Sequence, residues 1–405
     1  MPAKSLKIGL IGAGRIGCLH AEHLTSRIPS IKGGTADLIM VADVFEDAAR
    51  ECAERYAIPH SRQDYRAVLD RSDIEAVVIC SPTDTHARII EEAAQAGKHI
   101  FCEKPIALDL ASIDQALDAV ARAGVKLQIG FNRRFDANYR RVRQAVEQEE
   151  IGRPHLLHLI SRDPVPPPIE YVRTSGGIFL DMTIHDFDMA RFLIGSEVEE
   201  IFVQAGVMGD PAISEAGDVD TAVVVLRFAD GIIGMISNSR CTSYGYDQRV
   251  ELLGSAGVIN TGNNYPNTAT ISDNRSVRRD LPLHFFLERY AESYVSEMAA
   301  FVDAVVHDRP VPVTGLDGRV PVVMALAACQ SLVEHRPVRL SEIEDQGPLT
   351  RSTGELTMPP LGVEHQPTHL GEIEDQGQLG RSTNDLAVPP LRVEHRPTHL
   401  SQIEQ

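Results

Sequence analysis

Short apolar runs and helical spacings alternate over the first part of the chain. "KIGLIG", "DLIMVAD", "AVVICSP", "HIFCEK" and "KLQIGF" are rich in β-branched residues and bounded by turn formers, as buried strands are. Between them, "RIGCLHAEHL", "EDAARECAERYA", "ARIIEEAAQAG" and "LASIDQALDAVARAG" space apolar residues at three and four, the stripe of an amphipathic helix. This alternation predicts βαβ units and a Rossmann-type, doubly wound parallel sheet over residues 1–130.

After about residue 150 the pattern shifts. "PHLLHLISRD", "EEIFVQAGVM", "TAVVVLRFADGIIGMISNSR", "DQRVELLGSAGVINT" and "TATISDN" follow one another through tight turns such as Asp230-Gly231. They predict a second α/β domain, residues 131–343, built on a large open sheet that is mostly antiparallel. Both faces of "TAVVVLRF" and "GIIGMISNSR" carry apolar residues, so the outer face is expected to be covered by another subunit. Two long helical patterns follow, "HFFLERYAESYVSEMAAFVDAVVHD" and "LDGRVPVVMALAACQSLVEH", with Pro321 expected in the first turn of the second.

From residue 333 the chain repeats itself: residues 333–362 match residues 363–392 at 19 of 30 positions, and a third, partial copy ends it. The unit is Pro-rich, charged and poor in aromatic residues, so residues 344–405 are expected to be a largely disordered tail rather than a solenoid. His365 and His369, echoed by His395 and His399, have metal-ligand spacing, but Pro367 and Pro397 break the helix such a pair needs.

Composition narrows the classes. A hydrophobic fraction of 43% suits a globular protein, and no uninterrupted apolar run is long enough to span a membrane. A net charge of −18 argues against nucleic acid as a partner. Six scattered cysteines without a CxxC pair, and no secretory leader pattern, lead one to expect a cytoplasmic protein with reduced thiols.

Chemistry begins with "IGLIGAGRIG": Gly12, Gly14 and Gly17 form GxGxxG between a strand and a helix. The first glycine permits the turn, the second lets backbone amides approach a pyrophosphate, and the third lets helix pack on strand. Arg15 and Ile16 lie inside this motif. Asp43 ends the second strand, where a carboxylate holds the adenosine ribose and favours NAD over NADP. Ser81, Pro82 and Thr83 follow the fourth strand at the carboxyl edge where ligands of such sheets bind, with His86 one turn on. Glu103 and Lys104, from "CEKP", end the next strand at the same edge.

GxGxxG, "SPTDTH", "CEKP", "GFNRRFD" and "SRDPVPPPIEYVRTSGGIFLDMTIHDFDMARFLIG" together resemble the glucose-fructose oxidoreductase / inositol dehydrogenase / rhizopine catabolism family over about residues 5–340. The resemblance implies that Lys104, Asp181 and His185 form the catalytic group. It adds Arg15, Ile16, His86 and Glu103 as cofactor contacts and Arg134, Asp163 and Tyr244 as substrate contacts. It also implies NAD as cofactor, a cyclic polyol substrate and a homotetramer. The expected reaction oxidises an inositol ring hydroxyl to the ketone, with His185 as general base. Asp181 and His185, four residues apart, would share one helix face, the carboxylate orienting the imidazole. Alternatives are scyllo-inositol or an aldohexose as substrate, or a non-catalytic NAD-binding sensor. A metal at Asp181, His185, Asp186 and Asp188 is not expected, since the hydride acceptor supplies the electrophile. Some inositol dehydrogenases carry histidine where this chain has Ser161.

Overall fold

The computed structural model describes residues 5–28 and 35–345. The repeats and the tail histidines beyond residue 345 lie outside the described residues. The first sheet contains β1 (Ser5–Ile11), β2 (Thr35–Ala42), β3 (His60–Arg62), β4 (Ala76–Ile79), β5 (His99–Glu103) and β6 (Leu127–Gly130). Every strand is parallel to its neighbours, in the order β3-β2-β1-β4-β5-β6. The order reverses between β1 and β4, so the crevice beyond their carboxyl ends is the natural ligand site of such a sheet. Val77, Val78, Ile79, Ile100 and Phe101 are fully buried, which is why these strands read as unbroken apolar runs.

The second sheet contains β7 (Pro154–Arg162), β8 (Val198–Gly206), β9 (Thr221–Phe228), β10 (Ile233–Ser239), β11 (Asp247–Gly254) and β12 (Val258–Thr261). After a small hairpin, β13 (Thr270–Ser272) and β14 (Val277–Arg279), the short β15 (Val338–Arg339) adds an edge. The order is β12-β11-β7-β10-β9-β8-β15, with only β7 and β10 running parallel. Burial alternates along β9 as period-2 packing requires, Ala222, Val224 and Leu226 facing the core and Val223 and Val225 facing out. The mostly antiparallel open sheet is therefore present as expected.

Two helices depart from the sequence reading. Ala291–Val306 returns to the first sheet, where Met298, Phe301 and Val302 join Leu10 and Phe101 in one core; the Phe101 and Phe301 rings meet edge to face at 5.8 Å. The core of the nucleotide-binding half thus draws on residues far beyond position 130. Gly315–Glu334 opens on a capping box between Thr314 and Asp317, which places Pro321 in the interior rather than in the first turn. Its missing N–H forgoes a helical bond to the Asp317 carbonyl. By length and composition this helix could cross a membrane, but over half of the apolar window is buried in the fold, as a core helix would be.

The β1 turn closes tightly on the β4 turn. Gly12 has φ +97°, and a Cβ there would come within 2.6 Å of the Cys80 and Ser81 backbone; a Cβ on Gly17 would lie 1.9 Å from the Gly12 carbonyl oxygen. Gly12→Ala is expected to destabilise the fold by roughly 1–3 kcal/mol through that φ alone, lowering Tm and weakening NADH binding measured by fluorescence titration.

Candidate active site

The helix Arg15–Glu22 begins at Gly14, whose added Cβ would meet nothing within 4 Å. An open approach therefore faces the positive end of that helix, where a diphosphate would be stabilised. Arg15 is exposed and Ile16 half-buried on this first turn. Asp43, just past β2, accepts the Ala13 amide at 2.7 Å and the Phe45 amide at 2.9 Å. Its carboxylate is thereby fixed beside the glycine turn, next to exposed Val44 and Phe45. The backbone space at Gly14 and the placed Asp43 carboxylate suit a dinucleotide.

At the β4 end, Pro82 precedes the helix Thr83–Gln95 and the Ser81 hydroxyl bonds Thr85 at 2.6 Å. His86 is a correction to the sequence reading. It is buried, with Nδ1 2.8 Å from the Pro105 carbonyl and Nε2 2.7 Å from the Ser81 carbonyl. The ring lies between these two carbonyls of the SPT and CEKP turns; burial lowers its pKa, so as a neutral imidazole it donates to one of them, and both nitrogens face protein rather than an open approach. Glu103 is a second correction: its carboxylate turns inward to His20 Nε2 at 2.8 Å, in a pocket that also holds the buried Glu297. Burial, reinforced by the Glu103 charge, keeps the Glu297 pKa well above the ordinary carboxylate range.

Lys104 leaves β5 across a cis bond to Pro105. Its Nζ donates to the Asp181 backbone carbonyl at 2.7 Å and lies 3.7 Å from the Asp181 carboxylate. Asp181 and His185 do not share one regular α-helix. Phe179–Thr183 is wound with π pitch, and the α-helix Ile184–Ile194 follows it. The Asp181 carboxylate accordingly serves other partners: the Tyr171 hydroxyl donates to it at 2.9 Å and Arg240 at 3.2 Å. The expected Asp181–imidazole bond is absent among the described residues, and His185 Nδ1 is enclosed without a partner. The wide turn is the physical reason, since it alters the i, i+4 register that the sequence reading assumed.

Electrostatics still couple the group. Burial lowers the His185 pKa well below 6.5, and the Lys104 and Arg133 charges push it further down. Burial would raise the Asp181 pKa, but the charges of Lys104 and Arg240 and the Tyr171 bond outweigh it and keep the group ionised. Phe131 meets the imidazole edge to face at 5.9 Å. Asp163, beyond the end of β7, is pushed up to about 6 by burial, opposed by the nearby charges of Arg240 and Arg133.

The two arginines of "NRRFD" divide the work. Arg133 bonds Asp186 at 2.8 Å and Ser161 at 3.1 Å behind the imidazole, while Asn238 bonds the other Asp186 oxygen at 2.8 Å. Arg134 is a further correction: its guanidinium is held by buried Asp188 at 2.6 Å and by Asp317 at 2.9 Å. So is Tyr244. Its hydroxyl donates to Asp247 at 2.7 Å and accepts from Arg162 at 3.0 Å, in a cavity of about 390 Å³ lined by Thr221, Ser237 and Ser239. That cavity contains none of Lys104, Asp181 or His185. Tyr246 turns the other way, is buried, and places its hydroxyl 3.4 Å from Arg133. Ser161 is wholly buried, bonding Gln248 as well as Arg133, so its side chain acts on the site through Arg133. Asp181, Asp186 and Asp188 each face a cation. Sequence reasoning missed Tyr171, Arg240 and Asn238; Tyr171 lies within the 161–195 stretch, but nothing in its spacing marks its hydroxyl for Asp181.

A glycine turn open at a switch point, with a lysine and an imidazole converging at the same sheet edge, is the equipment of a dinucleotide-dependent oxidoreductase. Comparison with known proteins narrows that class. The family model for an oxidoreductase family with an NAD-binding Rossmann fold matches residues 6–131, and the GFO/IDH/MocA C-terminal domain model matches residues 139–260. The chain belongs to the GFO/IDH/MocA family. It is 46% identical over 338 residues to myo-inositol 2-dehydrogenase of Thermotoga maritima, covering 84% of this chain and 99% of that one. It is 34% identical over 335 residues to an NAD(+)-dependent scyllo-inositol 2-dehydrogenase of Bacillus subtilis, covering 83% and 96%. The structure of scyllo-inositol dehydrogenase from Lactobacillus casei with bound NAD(H) and scyllo-inositol superposes with a TM-score of 0.77 at 30% identity, covering 84% of this chain and all of that one.

Two substitutions separate structure from chemistry. Arg134→Met is expected to cost about 3–5 kcal/mol by stranding buried Asp188, visible as a lower Tm. Tyr244→Phe is expected to leave kcat/KM unchanged.

Proposed function

We propose that this protein is an NAD-dependent inositol 2-dehydrogenase that oxidises a ring hydroxyl of myo-inositol to the ketone. The observation that carries this reading is the 2.7 Å bond from Lys104 Nζ, at the end of β5, to the Asp181 carbonyl in the turn that runs into the His185 helix. NAD, when bound, supplies the acceptor for the hydride. Gly12 and Gly14 give its diphosphate backbone room, Gly17 lets the helix pack against the turn, and Asp43 holds the ribose and disfavours a 2′-phosphate.

Lys104 spends one proton on the Asp181 carbonyl and keeps two for the substrate oxygen. Those protons favour alkoxide character as the carbon–hydrogen bond breaks. His185, kept neutral by burial and by adjacent cations, is ready to take the hydroxyl proton. Arg133, itself neutralised by Asp186, backs the imidazole without becoming a proton source. Asp163 offers a carboxyl that can accept from a second ring hydroxyl. Scyllo-inositol is the accompanying substrate to compare, because one relative named above is a myo-inositol 2-dehydrogenase and the other two are scyllo-inositol dehydrogenases.

We also infer that a second copy of the chain covers the outer face of the large sheet, as the first step to a homotetramer. Val258, Leu253, Leu156 and Ile233 are paired in register across β12, β11, β7 and β10, and all four are exposed. Such a continuous apolar row suits burial against its own copy. Light scattering should report an oligomer, and Leu156→Glu with Ile233→Glu should reduce its mass; an unaltered monomer from the start would overturn this.

A substrate panel with NAD and NADP tests the reaction. NAD should be clearly preferred with the inositols, and Asp43→Ser should relax that preference. The acid limb of kcat/KM should lie below pH 6.5, because a depressed imidazole stays neutral to lower pH. His185→Gln should lower kcat by roughly 10²–10⁴-fold. Turnover of hexoses but not inositols would overturn the substrate assignment.

A further inference from the structure

The segment between β7 and the wide-pitched turn carries a side chain with an unused function. Pro166, Pro167 and Pro168 stiffen the approach to the short helix Ile169–Val172, and Gly176 and Gly177, at φ +83° and +78°, turn the chain back. From this strap Tyr171 reaches Asp181, donating to Oδ1 at 2.9 Å. The residue is 47% exposed. Desolvation, then the Asp181 charge and bond, raise its pKa, while the Arg240 and Arg15 charges pull the other way. The hydroxyl therefore stays protonated and sits within reach of charges from the site and from the glycine turn.

The hydrogen-bond inventory is then restrictive. A phenol has one proton, and Tyr171 gives it to Asp181. What it still offers is an acceptor with a fixed direction. Both Asp181 oxygens are engaged, Oδ1 by Tyr171 and Oδ2 by Arg240, and the Lys104 ammonium lies 3.7 Å from Oδ1. Lys104 and Tyr171 thus flank one carboxylate oxygen, the first with spare donors and the second with a spare acceptor. A ring diol presents two adjacent hydroxyls, each able to donate and accept. We propose that Tyr171 is a substrate-recognition residue whose phenol oxygen, oriented by its bond to Asp181, accepts a hydrogen bond from the ring hydroxyl next to the carbinol undergoing oxidation. This rests on the polyol reading above and extends it to a named contact.

The test compares wild type with Tyr171→Phe, which keeps the ring and removes the oxygen. Both are assayed on myo-inositol and on the deoxyinositol lacking the hydroxyl adjacent to the oxidised carbon. The readout is the ratio of the two kcat/KM values, which does not depend on how much of either preparation is folded. Wild type should prefer the inositol, and Tyr171→Phe should shrink that preference about tenfold, with NADH affinity unchanged. A ratio identical in the two proteins overturns the contact, even if Tyr171→Phe is slower on both substrates, since that pattern assigns Tyr171 to holding Asp181 alone. Failure of wild type to oxidise any inositol overturns the functional reading, and this proposal with it.

Discussion

Lys104 holding the Asp181 carbonyl is the contact on which the site depends. The lysine ends a strand of the nucleotide-binding sheet, and the carbonyl belongs to the turn that delivers His185. A single charge-assisted bond at 2.7 Å therefore registers the end of β5 against the turn that leads into the His185 helix. The ammonium also helps keep the imidazole uncharged. One side chain thus sets both a position and a protonation state.

Around that contact, buried charges are matched with care. Arg133 with Asp186, Arg134 with Asp188 and Asp317, and Arg240 with Asp181 place three guanidiniums in the interior. A buried ion pair adds little net stability, whereas loss of one partner is expensive. The arrangement is better understood as a rigid polar frame that holds His185 from behind and Asp181 from the side. On the nucleotide side, the buried His86 ring fills the space between the Ser81 and Pro105 carbonyls of two neighbouring turns. Site geometry is in this way shared among many fixed dipoles and pairs.

Much of this could be read in the chain itself. The strand–helix alternation gave the parallel sheet, and the GxGxxG spacing gave a turn that the observed φ of Gly12 and the tight seat of Gly17 bear out. The large sheet was equally legible from its alternating strands. What escaped were features created by long-range contact. Ala291–Val306 shows an amphipathic stripe, but nothing in the stripe says which sheet receives it. The two arginines of "NRRFD" are identical by type, and only Asp186 and Asp188, some fifty residues on, decide which one backs the site. Tyr171 shares one quoted stretch with Asp181 while Arg240 follows β10, and spacing alone does not show that both reach one carboxylate. Glu103 and His86 sit in motif positions yet point into the protein, a direction that spacing does not encode.

The wide turn at Phe179–Thr183 makes chain length itself a determinant of the chemistry. A π turn holds one more residue than an α turn, and each residue of an α-helix rotates the chain by about 100°. Loss of a single residue from this turn would regularise the helix while swinging the imidazole out of alignment with the ammonium. Evolution can exchange side chains around the pocket one at a time, but an insertion or deletion within these five positions would shift His185 against Asp181 in one step.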